Sequence, residues 1–520
     1  MDVPQQANDL AFRLRRRAGI RRQIPGRRSV QEGKADRLAD LLDEAADEIE
    51  GLRRPASPAG PGRGEPPAAR DGCSYVDLPR QVTGERRALV LGAYGLIGSA
   101  CLRALARAGF AVTGVGRSER SARASAPDAS WIIRDVTRLT VGDWKELLEG
   151  VDVVVNASGA LQDGGRDNLE AIHVTTVARL VEAARGRAVR IVQISAAGAA
   201  PGASTEFLRS KARGDAILAA EGGDWTILRP VLVFSPDAYG GTALLRGVAA
   251  LPLVLPVVLP RARVQVIHVE DLAFAVVAAA KGDIRSGAIL DLAASDVHAF
   301  PDLVARLRRW QGFPEPLVRP RLPEWVLPVL GSGADLLGRL GWRSPLRTTA
   351  LRALGDGIEG EADAWARAGG PFPAGRSAWL PLDRILESLP STRQERLFAR
   401  LYFALPLAIG ALALFWTLSG IVALADPERA GTVLGSSVPA WISATTVIGG
   451  GLADLGLGLA ILRRRWARPA ALGMMILSGL YVAGSLVLVP GLWLDPLGPM
   501  VKVLPGMVLA GFVAAMLEDR

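Results

Sequence analysis

Residues 89–105 read LVLGAYGLIGSACLRAL, in which three glycines follow a short apolar run and open a helical pattern. Gly92 permits a tight turn, Gly95 lets the backbone approach a pyrophosphate, and Gly98 lets the helix pack close to the strand. Packing alone can favour glycine, but a strand, a glycine loop and a helix in direct succession favour phosphate binding by the free N–H groups of the helix N-terminus. We therefore predict nucleotide contacts at Gly92, Gly95, Leu96, Ile97 and Gly98.

Strands and helices alternate around this stretch, over residues 87–295. Short apolar runs such as VDVVVNASG and VRIVQISA are separated by longer helical patterns such as DNLEAIHVTTVARLVEAAR. This alternation predicts an α/β fold with a Rossmann-type doubly wound parallel sheet, covered on both faces by helices. VQVIHV at 264–269 is expected to be a further strand, and LPLVLPVVLP at 251–260 is expected to be a loop or lid because prolines break it. Residues 296–395 are expected to form a small cap and connector.

Residues at the ends of the later strands predict which nucleotide binds. An NAD site has an acid after the second strand to hold the ribose hydroxyls, but VTGVGRSER has Arg117 at that point. Arginine pairs with a 2′-phosphate, so NADP is favoured and NAD stays possible; a solvated surface arginine is the plain alternative. Asp135 follows WIIR and is expected to bind the adenine amino group, next to Val136. The fourth strand ends in NASGA, which would pass its backbone beside the cofactor at Ala157, Ser158 and Gly159.

The C-terminal region, residues 396–520, differs in kind from the rest. It contains four long apolar runs, at 401–425, 438–462, 469–489 and 497–517. A helix needs about 20 apolar residues to cross the hydrocarbon core of a bilayer. The runs therefore predict a four-helix transmembrane bundle. A buried soluble bundle is the alternative, but its helices would carry polar stripes.

Basic residues predict the orientation of these helices. STRQERLFAR precedes the first run and RRRWARP lies between the second and third, while the other two loops hold one arginine between them. Because basic loops stay inside, we expect a multi-pass protein of the bacterial cytoplasmic membrane with both chain ends in the cytoplasm. Asp454 and Lys502 lie within the runs, where charge is costly and suggests function. Asp454 is the stronger candidate, since Lys502 is near a helix end and can reach the interface.

Composition limits the other classes of partner. The chain has 520 residues and a net charge of +9, but its arginines cluster at the N-terminus and beside apolar runs. That distribution favours a lipid bilayer as partner over nucleic acid. Two cysteines, Cys73 and Cys101, indicate a reducing compartment, and three scattered histidines give no metal-ligand spacing. Residues 1–86 are expected to be an extension with one amphipathic helix and a Pro/Gly-rich linker.

Several motifs in order carry a family resemblance. GAYGLIG, NASGA, VQISAAGA, the FLRSK helix and WTILRPVLVFSP resemble the short-chain dehydrogenase/reductase superfamily. More narrowly, residues 87–295 are similar to its atypical, extended NAD(P)-binding branch, which includes a complex I accessory subunit. Residues 401–517, with GGGLADLGLGLAIL, resemble the DoxX-like four-helix membrane family. The resemblance implies an NAD(P)H-dependent oxidoreductase-like protein linked to a membrane.

The family's active site implies roles for particular residues. Its serine and lysine correspond to Ser195 and Lys211, but Phe207 stands where the family has tyrosine. Phenylalanine cannot donate a proton, so the usual acid is missing, although Lys211 can still bind the nicotinamide ribose. His173 lies near the family's polar helix position, and Tyr239 follows the sixth strand, where substrate loops lie. We take Ser195, Lys211 and Tyr239 as candidate catalytic residues; a structural role for Ser195 and Lys211, and packing on the cap for Tyr239, stay open.

Two functions remain after these considerations. The first is a membrane-anchored NAD(P)-binding reductase-like protein that acts on a hydrophobic substrate, a quinone or a lipid. The second is a non-catalytic NADP-binding sensor or assembly factor at the membrane, which Phe207 favours. An isomerase or dehydratase would also need the missing tyrosine and is less favoured.

Overall fold

The computed structural model describes residues 85–517, apart from 165–166, 222, 343, 345, 434–437 and 497. The amphipathic helix and the linker predicted within residues 1–86 lie outside the described residues. Only residues 85 and 86 of that segment are described. The domain boundaries predicted after residues 295 and 395 stay predictions.

A seven-stranded parallel sheet forms the centre of the N-terminal half, and its strands run in the spatial order β10-β6-β5-β4-β1-β2-β3. The strands of the described residues are β1 (Arg87–Leu91), β2 (Ala111–Gly116), β3 (Ser130–Ile133), β4 (Val153–Asn156), β5 (Arg190–Ile194), β6 (Asp224–Pro230), β7 (Leu232–Phe234), β8 (Arg263–Val264), β9 (Val266–His268), β10 (Ala288–Leu292) and β11 (His298–Ala299). The order reverses between β1 and β4. The predicted Rossmann-type doubly wound fold is confirmed.

Helices cover both faces of this sheet. They are α1 (Leu96–Arg107), α2 (Glu119–Ser125), α3 (Val141–Leu147), a π-helical turn (Ala171–Thr175), α4 (Thr176–Ala184), α5 (Glu206–Ala220), α6 (Gly240–Ala249) and α7 (Val269–Lys281). Side chains alternate along β1: Ala88 and Val90 pack with α1 and α7, while Leu89 and Leu91 pack with α3 and α4. Both sets are fully buried, which explains why the strands read as continuous apolar runs.

The strand predicted at VQVIHV does not join the main sheet. VQVIHV forms β8 and β9, and β9 pairs with β7 in a separate two-stranded sheet instead of joining the main sheet. β10 takes the edge position beside β6. The Gln265 side-chain amide donates to Ala294 O and accepts from Gly360 N, both at 2.8 Å, and so holds this segment between the residues after β10 and the cap.

The cap region contains β11, α8 (Phe300–Trp310), α9 (Val326–Arg339), α10 (Thr348–Gly355), α11 (Ala364–Arg367), α12 (Leu382–Ser388) and α13 (Arg393–Leu401). Residues of α6, α8 and α12 share one buried apolar cluster, so this region packs on the sheet domain. Residues 251–260 contain no helix or named strand, as expected, and touch the cap through isolated bridges at Val254 and Val257.

Apolar helices make up the C-terminal region. They are α14 (Ala404–Ala425), α15 (Pro427–Thr432), α16 (Ala440–Ala460), α17 (Arg464–Leu488), a 3₁₀ turn (Pro490–Trp493) and α18 (Val503–Met516). Within the described residues, three helical segments, which contain α14, α16 and α17, are long and apolar enough to cross a membrane. α18 is apolar but has 14 residues, about 21 Å, which is shorter than the hydrocarbon core. A fourth span therefore stays a prediction.

The glycine loop is packed too closely to accept side chains. A Cβ added to Gly98 would lie 2.2 Å from the carbonyl oxygen of Gly92, and Gly92 itself has φ +67°. Atoms of a neighbouring backbone cannot move aside as a flexible side chain can. This contact fixes the distance between β1 and α1.

We predict that Gly98→Ala lowers the stability of the sheet domain by roughly 1–3 kcal/mol, because the new methyl group overpacks the loop. Gly202→Ala is the matched control, since a Cβ at Gly202 meets no atom within 4 Å. Denaturant unfolding in detergent, followed by tryptophan fluorescence, measures the difference. Equal midpoints for the two variants would contradict the prediction.

Candidate functional site

The glycine loop and the end of β4 lie against each other. A Cβ on Gly92 would be 2.9 Å from Ala157 O and from Ser158 Cα. Gly95 caps the N-terminus of α1 without any side-chain cap, so the first N–H groups of that helix are not bonded by a capping side chain. Two segments predicted separately from the sequence are therefore brought together. The loop fits a pyrophosphate, which would bind at this helix N-terminus.

A cleft of about 240 Å³ opens beside this loop. Its lining comes from the glycine loop, from α1 and α2, and from the segment that follows β7: Tyr94, Gly95, Leu96, Ser99, Arg103, Ala124, Ser125, Asp237 and Tyr239. The Tyr239 residue is 61% exposed. The structure thus places Tyr239 in the wall of the cleft beside the glycine loop, where it is exposed and not buried under the cap.

Arg117 lies at the end of β2, as expected, but it has an acidic neighbour. Its Nη2 is 2.6 Å from Asp167 Oδ1, and its backbone N–H donates to Tyr94 Oη at 3.4 Å. Burial is the largest single effect and lowers the pKa of Arg117, but the hydrogen bond and charge of Asp167, with smaller contributions from Tyr94 and Asp135, together raise that pKa above its usual value. A 2′-phosphate at Arg117 would meet the carboxylate of Asp167, which sequence spacing did not identify.

Asp135 and Val136 follow β3, but their groups have protein partners. The Asp135 carboxylate accepts from Thr137 N at 3.1 Å and from Thr137 Oγ1 at 2.8 Å. Val136 is buried, and its carbonyl accepts from Thr176 Oγ1. Asp135 therefore caps the turn after β3, and adenine binding there stays a prediction.

Ser195 is bound to a buried ion pair. Its Oγ donates to Asp215 Oδ2 at 2.7 Å, and Arg229 Nη2 reaches the same oxygen at 2.9 Å. Burial raises the pKa of Asp215, although the bonds from Ser195 and Arg229 oppose that rise. The hydroxyl proton of Ser195 is thus held by a carboxylate. Sequence reasoning missed Asp215, although it lies one helical turn after Lys211, and it had no local signal for Arg229.

Lys211 and His173 meet beside Gly159. A Cβ on Gly159 would lie 3.5 Å from Lys211 Nζ and 3.4 Å from His173 Nε2, so glycine leaves this space open. Lys211 Nζ donates to Ile194 O at 2.8 Å. Burial lowers the pKa of Lys211 to about 8, although nearby Asp215 opposes the change. The lysine is therefore a buried cation at the carboxyl ends of β4 and β5, where a Rossmann fold binds its ligands.

His173 is held as a neutral hydrogen-bonding group. Ala160 N–H donates to Nε2 at 3.3 Å, so Nδ1 carries the proton and donates to Ser210 Oγ at 2.8 Å. Ser210 in turn donates to Phe207 O at 3.0 Å, and the Phe207 ring meets the imidazole edge-on at 5.8 Å. Burial lowers the pKa of His173 to about 2, and the neighbouring Lys211 adds to this. The imidazole cannot act as a general acid near neutral pH.

A second polar cluster lies among the apolar helices. Asp454 is buried and accepts from Ser419 Oγ at 2.7 Å and from Tyr481 Oη at 2.8 Å, so three helices meet at one carboxylate. Lys502 is exposed and directly precedes α18. Sequence reasoning identified Asp454 but not its two hydroxyl partners.

Two family comparisons now identify the class of protein. Residues 92–249 match the NAD(P)H-binding family, and residues 413–511 match the DoxX-like family. The chain therefore joins a Rossmann domain that matches an NAD(P)H-binding family to a region of apolar helices that matches a DoxX-like family. The predicted combination is confirmed, whereas the choice between NADP and NAD stays a prediction.

Individual relatives are distant. The chain is 24% identical over 292 residues to a ceramide reductase of Caulobacter vibrioides, which covers 55% of this chain and 87% of that protein. Among solved structures, it resembles the Bordetella bronchiseptica enzyme WbmH in complex with NAD⁺, at 17% identity and a TM-score of 0.44, covering 61% of this chain and 98% of the other. It also resembles a UDP-N-acetylglucosamine 4-epimerase from Bacillus cereus, at 18% identity and a TM-score of 0.37, covering 46% and 86%.

We predict that the protein binds NADPH more tightly than NADH and that Arg117→Asp removes this preference. A lost charged hydrogen bond costs about 1.5–3 kcal/mol, or roughly ten- to a hundredfold in affinity. Asp167→Asn should strengthen NADPH binding and leave NADH binding unchanged, because the competing carboxylate is gone. Fluorescence titration of the full chain in detergent measures both affinities.

Arg384→Asp is the control for the Arg117 variant, because it makes the same charge change at an exposed arginine of α12 that does not line the cleft. Tighter binding of NADH than of NADPH by the unmodified protein would show that the nucleotide assignment is wrong. A loss of affinity for both nucleotides in Asp167→Asn would assign that carboxylate a structural role.

Proposed function

We propose that this protein is a membrane-anchored NAD(P)H-dependent reductase whose substrate is a hydrophobic carbonyl compound of the lipid or quinone class. An NAD(P)H-binding domain and a DoxX-like domain in one chain support a reaction at a membrane. The similarity to a ceramide reductase supports a lipid-like substrate.

The packing of α6 is the observation that carries this proposal. α6 begins directly after Tyr239 in the cleft wall, and its Arg246 binds the carbonyls of Ser235 and Pro236 at 2.7 and 3.1 Å. At the other end of α6, a Cβ on Gly247 would lie 2.8 Å from the ring of Tyr402. Tyr402 connects α13 to the first apolar helix, α14. One helix thus joins the wall of the nucleotide cleft to the entry of the apolar domain.

The chemistry needs a proton as well as a hydride. Bound NAD(P)H would supply the hydride to a carbonyl carbon, and the carbonyl oxygen must then gain a proton. Phe207 cannot give it, and His173 is neutral with both nitrogens bonded. Tyr239 in the cleft, or water beside it, is left as the proton source. Lys211 has a binding role, in which its ammonium group holds the nicotinamide ribose.

A second function is favoured by specific contacts. The Ser195 hydroxyl is bound to Asp215, and Phe207 packs on His173, so two positions of the family's proton relay serve the structure of the domain. A nucleotide-binding sensor or assembly factor at the membrane would need nothing more. Substrate-dependent oxidation of NADPH separates the two functions, because only the reductase would catalyse it.

We predict that Lys211→Ala weakens NADPH binding by roughly 1–3 kcal/mol, because a charged hydrogen bond to the ribose is lost. Lys145→Ala, on the exposed face of α3, is the control. Tyr239→Phe should slow NADPH oxidation by ketolipids or quinones in lipid nanodiscs and leave NADPH affinity unchanged. Phe207→Tyr should gain activity, since it restores a phenol four residues before Lys211.

NADPH absorbance and affinity are measured in parallel for these variants. NADPH binding without oxidation by any compound of the panel, in the unmodified protein and in Phe207→Tyr, would favour the sensor. Unchanged affinity in Lys211→Ala would show that this lysine does not contact the cofactor.

We propose a location in the bacterial cytoplasmic membrane, with the nucleotide-binding domain on the cytoplasmic side. The turn that joins α16 to α17 contains Arg463, and α17 begins with Arg464 and Arg465, which favours a cytoplasmic position for this end of the helices. Reporter fusions after residues 465 and 520 should therefore read as cytoplasmic, and those after 430 and 493 as external. An external signal at 465 would reverse the topology.

A further inference from the structure

Helix α9 carries a stripe of large apolar side chains that face solvent. They recur at helical spacing on one side and just before the helix start: Trp325, Val329, Leu330, Leu336 and Leu337. Trp325 is 67% exposed, Val329 60% and Leu336 59%. An exposed apolar stripe of this length is unusual on a protein surface that faces water, and it indicates an interaction site.

The opposite side of α9 is packed and polar. A Cβ on Gly331 would lie 3.0 Å from Thr348 Oγ1, and a Cβ on Gly338 would lie 3.0 Å from the Arg347 guanidinium carbon. Asp335 accepts from Arg347 Nε at 2.9 Å. These contacts with the segment that enters α10 fix the rotation of α9 about its axis. The apolar stripe is therefore held outward and cannot turn into the cap.

The C-terminal end of α9 is attached to the apolar domain. Arg464 N donates to Leu340 O at 3.0 Å, and Trp342 Nε1 donates to Leu462 O at 2.6 Å. The Trp342 side chain also packs against the buried cluster of the apolar helices. Leu462 lies in the turn between α16 and α17, and Arg464 is the first residue of α17, so both contacts are at the place where α16 ends and α17 begins. If α16 and α17 cross a bilayer, this turn lies at the boundary between hydrocarbon and headgroups.

We propose that α9 is a membrane-surface helix whose apolar stripe lies in the headgroup and acyl-chain boundary of the bilayer that holds α14, α16 and α17. Its 14 residues span about 21 Å from a fixed point at that boundary. Arginines flank the stripe at Arg339 and Arg463, as is usual for helices on anionic lipid. The continuity with the end of two apolar helices favours lipid over a second copy or a protein partner as the occupant.

This surface would hold the cap flat on the membrane. The bilayer would then contact the protein at the apolar helices and at α9. The proposal does not depend on catalysis, since a reductase and a sensor would both be attached in this way. It does require that the apolar helices lie in a bilayer.

The test uses the full chain in nanodiscs of mixed neutral and anionic lipid, with one copy per disc. Cys73→Ser removes one thiol, and the thiol of Cys101 stays because burial raises its pKa to about 12 and makes it unreactive. Single cysteines are then introduced by Val329→Cys, by Ala106→Cys as an exposed control on α1, and by Leu418→Cys as a control on α14. Each carries a fluorophore, and quenching is measured separately with lipids labelled at shallow depth, which report on position 329, and with lipids labelled deep in the acyl chain, which report on position 418 of α14.

We expect strong quenching at positions 329 and 418 and none at 106, together with several-fold slower reaction of Val329→Cys than of Ala106→Cys with a membrane-impermeant maleimide. NADPH binding by each variant verifies the fold. Quenching at 418 without quenching at 329 would overturn this proposal alone, whether position 329 reacts freely or is protected by another protein. Absence of quenching at 418 would overturn the membrane location itself.

Discussion

The close contact between Gly92 and Gly98 is the constraint on which the nucleotide-binding half depends. Because the carbonyl of Gly92 occupies the space of a missing Cβ, the N-terminus of α1 approaches the end of β1 within one turn of chain. The same loop leaves no room for a side chain at Gly92 against Ala157 and Ser158. A phosphate bound at this loop would therefore meet backbone atoms, whose geometry does not depend on rotamers.

Buried charge determines the character of the neighbouring pocket. Lys211, Asp215 and Arg229 are linked through one helix and two strand ends, and each loses hydration on folding. The bonds that compensate this loss also bind the Ser195 hydroxyl. A buried pair of this kind costs several kcal/mol to break by removing one partner, so the network limits which groups are free for chemistry. Phe207 packs edge-on against His173 beside this network, and a phenyl ring offers no proton for transfer.

The connection between the two halves is more extensive than a linker. α6 contacts the chain where α13 leads into α14, and the end of α9 bonds to the turn between α16 and α17. The two halves are therefore joined by side-chain packing and hydrogen bonds as well as by the covalent chain.

The sequence alone determined the features that depend on local pattern. The glycine spacing of 92–98, the short apolar strands and the long uncharged runs are each defined by residue spacing or segment length. Each can be recognised without knowing which other segments pack against it. The glycine loop, the doubly wound sheet and the apolar C-terminal helices were predicted for this reason.

Tertiary structure alone decided which residues distant in the chain contact each other. Asp167 beside Arg117, Arg229 beside Asp215, and the hydroxyls of Ser419 and Tyr481 at Asp454 are distant in sequence. It also decided that β10 and not VQVIHV completes the sheet, and that α9 ends on the apolar domain. Such pairings leave no pattern in the local sequence. A charged or hydroxyl side chain looks the same in the sequence whichever distant residue it contacts after folding.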